Sequence, residues 1–206
     1  MLDTYGRKYV DRFIEPGAAF FEKIHWKPTH VTSAALITGL AAATSYLVKA
    51  PVAVPIALLW GSGYLDTVDG ALARRTKHIT PVGTLLDIFF DRVVELSFIA
   101  SFAFRFPESV YSQLFLVCSI VLSMTVFLTS GTLLKNTGIK TFRYQTGLME
   151  RTDGFIMFTI MMIFDSYMKY TAAIYAILVL FTALQRLILT MAELKTDKKE
   201  KTNVKE

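Results

Sequence analysis

Six apolar stretches, at 30–48, 51–72, 82–104, 109–134, 154–168 and 171–192, divide this chain and leave few folds open to it. A helix needs roughly 20 apolar residues to cross the hydrocarbon of a bilayer, and only the fifth stretch is clearly short of that. Inside lipid each backbone polar group must be satisfied within its own segment, so helices are expected rather than open strands. Turn signals separate the stretches: Pro51, the pair Thr80-Pro81 with proline at a first helical position, Pro107 and Gly154. Hydrophobic residues make up 53% of the chain and the mean hydropathy is +0.43, too apolar for an ordinary soluble domain of this length. The expected fold is therefore an all-α integral membrane protein. Six transmembrane helices fill a membrane domain over 28–194, an amphipathic juxtamembrane segment precedes it over 1–27, and a disordered cytoplasmic tail follows over 195–206.

The first segment is charged and lacks the continuous apolar core of a cleavable signal peptide. On a helical wheel Leu2, Tyr5, Tyr9, Val10, Phe13 and Ile14 share one half, and Arg7, Lys8, Asp11 and Arg12 the other. Such a helix lies flat in the headgroup region. Pro16-Gly17 is expected to break it, with Phe20, Phe21, Ile24 and Trp26 continuing an aromatic belt. The tail KTDKKEKTNVKE has no apolar face.

Orientation follows from Lys and Arg. Seventeen fall at the N-terminus, in the loops after the second and fourth stretches and in the tail, against Lys49, Arg105 and Lys169 on the other side. The positive-inside rule then places both termini in the cytoplasm of a cell-membrane protein. Arg92 and Arg186 lie inside the stretches. The net charge of +5 fits anionic lipid rather than nucleic acid. The one cysteine, Cys118, excludes a disulfide framework and is expected to be a small core residue. His25, His30 and His78 are scattered, so any metal should be held by oxygen.

Four aspartates interrupt this apolar layout: Asp66 and Asp69 close the second stretch, and Asp87 and Asp91 open the third. At 100° per residue Asp66, Asp69, Gly70 and Ala73 share an arc of about 100°, and Gly83, Asp87 and Asp91 one of about 80°. Two helices facing through these stripes gather four carboxylates beside small residues. A carboxylate at the bilayer centre costs about 2.5–3.5 kcal/mol. Helix-end placement explains Asp66 and Asp69 but not the deeper Asp91 or the shared stripes. Clustered anions call for a cation, and hard oxygen ligands favour Mg2+ or Mn2+. Four carboxylates suit two ions, which clamp a diphosphate. Gly70 and Ala73 leave room for a nucleotide beside the backbone, and Arg74 offers a planar fork to a phosphate.

The run D-x2-D-G-x2-A-R-x8-G-x3-D-x3-D, from Asp66 to Asp91, resembles the signature of the CDP-alcohol phosphotransferase (CDP-alcohol phosphatidyltransferase) family. All eight fixed positions are present: Asp66, Asp69, Gly70, Ala73, Arg74, Gly83, Asp87 and Asp91. Chance supplies such a match on the order of once in 10^10 starting points. The resemblance implies a phospholipid synthase that transfers a phosphatidyl group from CDP-diacylglycerol, or a similar CDP-linked lipid, to a hydroxyl acceptor with release of CMP. It implies Asp66, Asp69 and Asp87 as metal ligands, and Asp91 as catalytic base and second-site ligand. The nucleotide is framed by Asp69, Gly70, Ala73, Arg74 and Gly83. A homodimer is the implied assembly. Family members often carry Pro-Asn before the first span; here Pro28-Thr29-His30-Val31-Thr32 stands there, with Thr32 either a nucleotide contact or a helix cap.

Lys135, Lys140, Arg143 and Arg151 collect after the fourth stretch, and Arg186 lies about 9 Å inside the cytoplasmic end of the sixth. They suit an acceptor that already bears a phosphate, with Lys135, Arg151 and Arg186 as the candidate acceptor set. Topology alone also explains the loop charges, whereas an intramembrane arginine faces a partner or a cavity. Gly147-Leu148-Met149-Glu150-Arg151 resembles the GLxER run of inositol-phosphate-using members, but Asp153-Gly154 replaces their second Glu-Arg pair. Glycerol 3-phosphate, inositol phosphate and serine all remain open as acceptors at this point. Two other classes compete. A transporter places its ion site at the midplane of an inverted repeat, and no repeat is visible here. A scaffold gives no reason for eight matched positions.

Overall fold

The computed structural model describes residues 2–135 and 151–203, and within them every element is helical. In chain order these are α1 (Leu2–Lys23), α2 (Pro28–Leu47), α3 (Ala53–Arg75), α4 (Pro81–Arg105), α5 (Val110–Lys135), α6 (Arg151–Ile163) and α7 (Met168–Asn203), with single 3-10 turns at Pro107–Ser109 and Asp165–Tyr167. The helices α2 to α7 fall on the six apolar stretches. Two of their starts follow simple chemistry: proline occupies the first turn of α2 and of α4, where a missing N–H costs nothing. The Thr80 hydroxyl caps α4, accepting from Gly83 N–H at 3.0 Å.

Three helices end on a residue with left-handed backbone: His25, Lys49 and Lys77, with φ of 57°, 62° and 56°. Each closes a six-to-one loop, as when Ala50 N–H donates to Ser45 O at 3.0 Å and His78 N–H to Ala73 O at 2.9 Å. A side chain in this conformation costs about 1–2 kcal/mol. In return the chain reverses within a few residues, so the end of α3 and the start of α4 stay close.

α2 is the central element of the motif half and packs against both α3 and α4. Its Gly39 sets the spacing: a Cβ there would lie 2.6 Å from Val94 Cγ2 and 2.9 Å from Ser62 Oγ. Ser62 in turn donates to Ala35 O at 2.7 Å, tying α3 to α2. α5 and α7 form the second half, packed along their length. α6 reaches both halves; Phe158 stacks on Phe98 of α4 at 5.4 Å and meets Tyr175 of α7 edge-on at 5.7 Å. At the end remote from the aspartates, Arg105 donates to Tyr46 O at 2.9 Å and pairs with Asp165 at 3.5 Å. That contact closes the bundle opposite the motif.

Three expectations are corrected. Pro16 does not break α1, which runs unbroken to Lys23. The interior proline costs about 3 kcal/mol, offset in part by burial of Ile14 and Ala18 with Val68, Ala71 and Leu72 of α3. Gly17 allows the approach, since a Cβ would meet Tyr64 Oη at 2.5 Å. The tail expected to be disordered instead continues α7 to Asn203; Lys and Glu are good helix formers, and extending an existing helix avoids the cost of nucleation. Cys118 is exposed rather than in the core, because α5 is apolar all round and its outer face carries Leu114, Phe115, Val121 and Leu122.

That outward apolarity is general. Ile37, Phe89, Phe104, Ile177 and Ile188 on three other helices are all exposed, an apolar exterior that a soluble monomer does not present. Among the described residues, Pro107–Leu133 and Asp165–Lys195 are long and apolar enough to cross a membrane, and Thr152–Ile163 is a shorter apolar helix. α3 and α4 fall below the same mark because they carry the motif's charges; α6, with 13 residues, rises only about 20 Å.

Candidate functional site

The two aspartate stripes face one another across a gap lined on one side by α2. Asp66 and Asp69 of α3 and Asp87 of α4 bring ligand oxygens within 4.8 Å of one another. Asp66 and Asp69 are buried, at 8% and 7% exposure, and Asp87 is half-buried. Oxygens around an ion held at about 2.0–2.1 Å lie up to roughly 4 Å apart, so small side-chain adjustments close this triad on one ion. The donor set is all carboxylate, with no His or Cys ligand in the group. It fits Mg2+ or Mn2+ and not a zinc site of nitrogen and sulfur.

Asp91 is not part of that triad. It lies one turn deeper on α4 and lines a cavity of about 290 Å³ together with Asp66 and Asp87. The cavity runs between the two halves of the bundle. Thr32 and Ser62 form its α2–α3 wall, Ser123 and Phe127 come from α5, Gly154 and Phe155 from α6, and Tyr175, Thr182 and Arg186 from α7. Glycine at 154 keeps the cavity open, as a Cβ would sit 2.8 Å from Tyr175 Oη.

Arg186 of α7 belongs to the Asp165–Lys195 segment that is long and apolar enough to cross a membrane. It is buried to 7% exposure, its guanidinium lies 5.4 Å from the Phe127 ring, and it faces the cavity. Thr32 also lines this cavity, and its hydroxyl donates to Pro28 O at 3.0 Å from inside α2. The cap position is Lys27, so Thr32 is not a helix cap.

Gly70, Ala73, Arg74 and Gly83 do not line the cavity; they flank the turn between α3 and α4 beyond the aspartates. Arg74 is exposed, with Nη1 3.4 Å from the point that a Gly70 Cβ would occupy. Glycine leaves that guanidinium room over the helix. The neighbouring Arg75 faces α1, where it pairs with Glu22 and, at 3.3 Å, with Glu15. The hydrogen bond to Glu22, with the charges of both glutamates, holds its guanidinium above its ordinary pKa. Arg75 is thereby committed to α1, whereas Arg74 is exposed beside Gly70. Lys140 and Arg143 lie outside the described residues, as do the side chains of Lys135 and Arg151.

Among the lining residues not singled out from the sequence are Arg92 and Glu95 of α4, joined as an ion pair. A signal was present, because Glu95 continues the Asp87–Asp91 spacing by one more turn.

The comparisons with known proteins agree with this geometry. An archaetidylinositol phosphate synthase of Aeropyrum pernix is 27% identical over 197 residues, covering 91% of this chain and 94% of its own. A second archaetidylinositol phosphate synthase, from Methanothermobacter thermautotrophicus, is 33% identical over 93 residues, or 45% of each chain. The fold matches crystal structures of Mycobacterium tuberculosis phosphatidylinositol phosphate synthase at 18% identity. One, with CDP-DAG bound, gives a TM-score of 0.71 over 87% of this chain and 94% of that one. The other, in complex with manganese and citrate, gives 0.70 over 86% and 88%. The model of the CDP-alcohol phosphatidyltransferase family matches residues 26–196, which contain the carboxylate triad, the cavity and Arg186, and the chain belongs to that family.

Proposed function

We propose that this protein is a membrane-embedded lipid synthase that transfers a phosphatidyl group, or its ether-lipid counterpart, from a CDP-linked lipid to inositol phosphate and releases CMP. One observation carries this reading: a carboxylate triad, with Asp66 and Asp87 in the cavity lining, shares that cavity with a buried arginine on α7. A site for a metal-bound diphosphate therefore adjoins a site for a second anion. The names of the sequence relatives and of the solved structures favour inositol phosphate over glycerol 3-phosphate or serine, as does the run from Gly147 to Arg151.

In this reading Asp66, Asp69 and Asp87 hold Mg2+ or Mn2+, with Asp91 available to a second ion. Metal there would offset the charge on the diphosphate and on the departing CMP. Arg74 grips a phosphate of the nucleotide, which lies over Gly70, Ala73 and Gly83 beside Asp69, with Thr32 reached from the cavity side of Asp66. Arg186, with Lys135 and Arg151, holds the acceptor phosphate. Asp91 takes the proton of the acceptor hydroxyl. The hydroxyl oxygen then bonds to the lipid-bearing phosphorus, and the bond from that phosphorus to CMP breaks.

A purified sample with Mn2+ and CDP-diacylglycerol should release CMP on addition of inositol 1-phosphate and far less with glycerol 3-phosphate or serine. Chelation should stop it. Absence of CMP release with all three acceptors would sink the assignment.

The same proposal has α2 to α7 crossing the cell membrane as six spans, α1 lying at its surface, and the motif and both termini in the cytoplasm. The exposed apolar exterior and the distribution of basic residues support it. The homodimer implied by the family resemblance belongs to it as well. For topology, single cysteines at Lys49 and Lys77 in a Cys118→Ser background give the test. A membrane-impermeant thiol reagent on intact cells should label position 49 and spare 77; the reverse pattern overturns the orientation.

A further inference from the structure

Beyond Asp91 the cavity contains a charged pair to which the transfer chemistry gives no task. Asp87, Asp91 and Glu95 follow at four-residue intervals on α4, so Glu95 lies about 6 Å past Asp91 along the axis and about 12 Å past Asp87. Its side chain is 13% exposed and paired with Arg92, at 32%. Both line the cavity, whose wall there mixes Val94, Ile120, Phe158 and Val179 with Tyr175, Ser123 and Thr182. Drawing an ion pair out of water carries a desolvation cost that its mutual attraction repays only in part. Here Arg92 Nε is buried without a hydrogen-bond partner, although the other end of the guanidinium is bound to Glu95.

The chemistry of the pair selects its ligand. A carboxylate accepts hydrogen bonds from hydroxyl groups, and a guanidinium N–H beside it donates to hydroxyl oxygens. Glu95 would repel an acceptor phosphate, which instead has Arg186 on the α7 wall. Neutral, densely hydroxylated carbon is what remains to face it. Ser123 and Thr182, both buried, add hydroxyls along the same cavity. Resting on the proposed transfer to a phosphorylated polyol, we propose that Arg92 and Glu95 are its specificity-determining pair. They bind acceptor hydroxyls that do not react, and so turn the reacting hydroxyl towards Asp91.

The test uses the full chain with Mn2+ and CDP-diacylglycerol, inositol 1-phosphate, and a series of its monodeoxy analogues. With wild-type protein at least one deoxy analogue, at a hydroxyl remote from the reacting one, should lose about 10–100-fold in kcat/KM, since it leaves buried polar groups unpaired. In Glu95→Gln the acceptor KM should rise by a similar factor, the KM for CDP-diacylglycerol should hold, and the penalty for that analogue should shrink to within about twofold. Arg92→Lys should act in the same direction. If Glu95→Gln lowers turnover of every acceptor alike, the pair is structural and the inference is wrong. Should the variants fail to fold, wild-type protein still decides, because equal use of all deoxy analogues overturns the proposal. Failure of the functional reading looks different: wild-type protein then releases no CMP with inositol 1-phosphate itself.

Discussion

Asp66→Asn should abolish metal-dependent turnover and, with it, the stabilisation that Mn2+ gives the folded protein. The carboxylate is buried and its oxygen lies within 4.8 Å of ligand oxygens on Asp69 and Asp87, so an amide there removes one charge from a three-ligand set. Loss of even an outer partner of a metal ligand costs about 10–100-fold in affinity, and loss of a ligand should exceed that. A ligand that binds only the folded state raises its stability by RT ln(1 + [L]/Kd), about 2.7 kcal/mol at 100 times Kd. The thermal midpoint of the wild-type protein should therefore climb with Mn2+ while that of Asp66→Asn stays flat over the same range. An equal rise in both would remove Asp66 from the metal site whatever the activity shows. Asp69→Asn should behave in the same way, being equally buried in the triad.

Asp91→Asn should separate from these variants. Its carboxylate lies outside the triad yet lines the cavity that the acceptor would enter, and the amide keeps the shape while losing the ability to take a proton. The expected cost is on the order of 10^2–10^4 in kcat, with Mn2+ still raising the thermal midpoint and the KM for CDP-diacylglycerol little changed. If high Mn2+ instead restores near wild-type turnover, Asp91 serves as a ligand and the proton goes elsewhere. The separation is a consequence of geometry. By spacing alone the four aspartates are equivalent members of two stripes, but three converge and the fourth lines the cavity outside that group.

The elements themselves were legible because their signals are local. Thr80-Pro81 starts α4 where a cap followed by proline should start a helix, and the apolar stretches fall on α2 to α7. The misreadings have one cause. Pro16 is a helix breaker in isolation, but the fit of Gly17 and Ala18 against Tyr64 and Val68 holds α1 together. Cys118 sits in an apolar run, which in a bundle with an apolar exterior does not say which face is inside. Thr32 looked as much a cap as a pocket residue until Lys27 and Pro28 proved to begin α2.

Periodicity fixes which residues share a face of a helix, because 100° per residue is a property of the backbone alone. The amino-acid sequence by itself therefore determined the helices, the two aspartate stripes, the oxygen-only donor set and the place of Arg186 within the last apolar stretch. It carries no measure of how far apart two faces stand or what lies between them. That depends on side chains distant in the chain: Gly39 lets α2 lie against Val94 and Ser62, and Gly154 leaves Tyr175 its place at the cavity wall. Only the tertiary structure decided that Asp66, Asp69 and Asp87 meet, that Asp91 stands apart, and that Arg92 and Glu95 share a cavity with Arg186. Those distances are set by close packing between helices, where one methyl group more or less moves a wall.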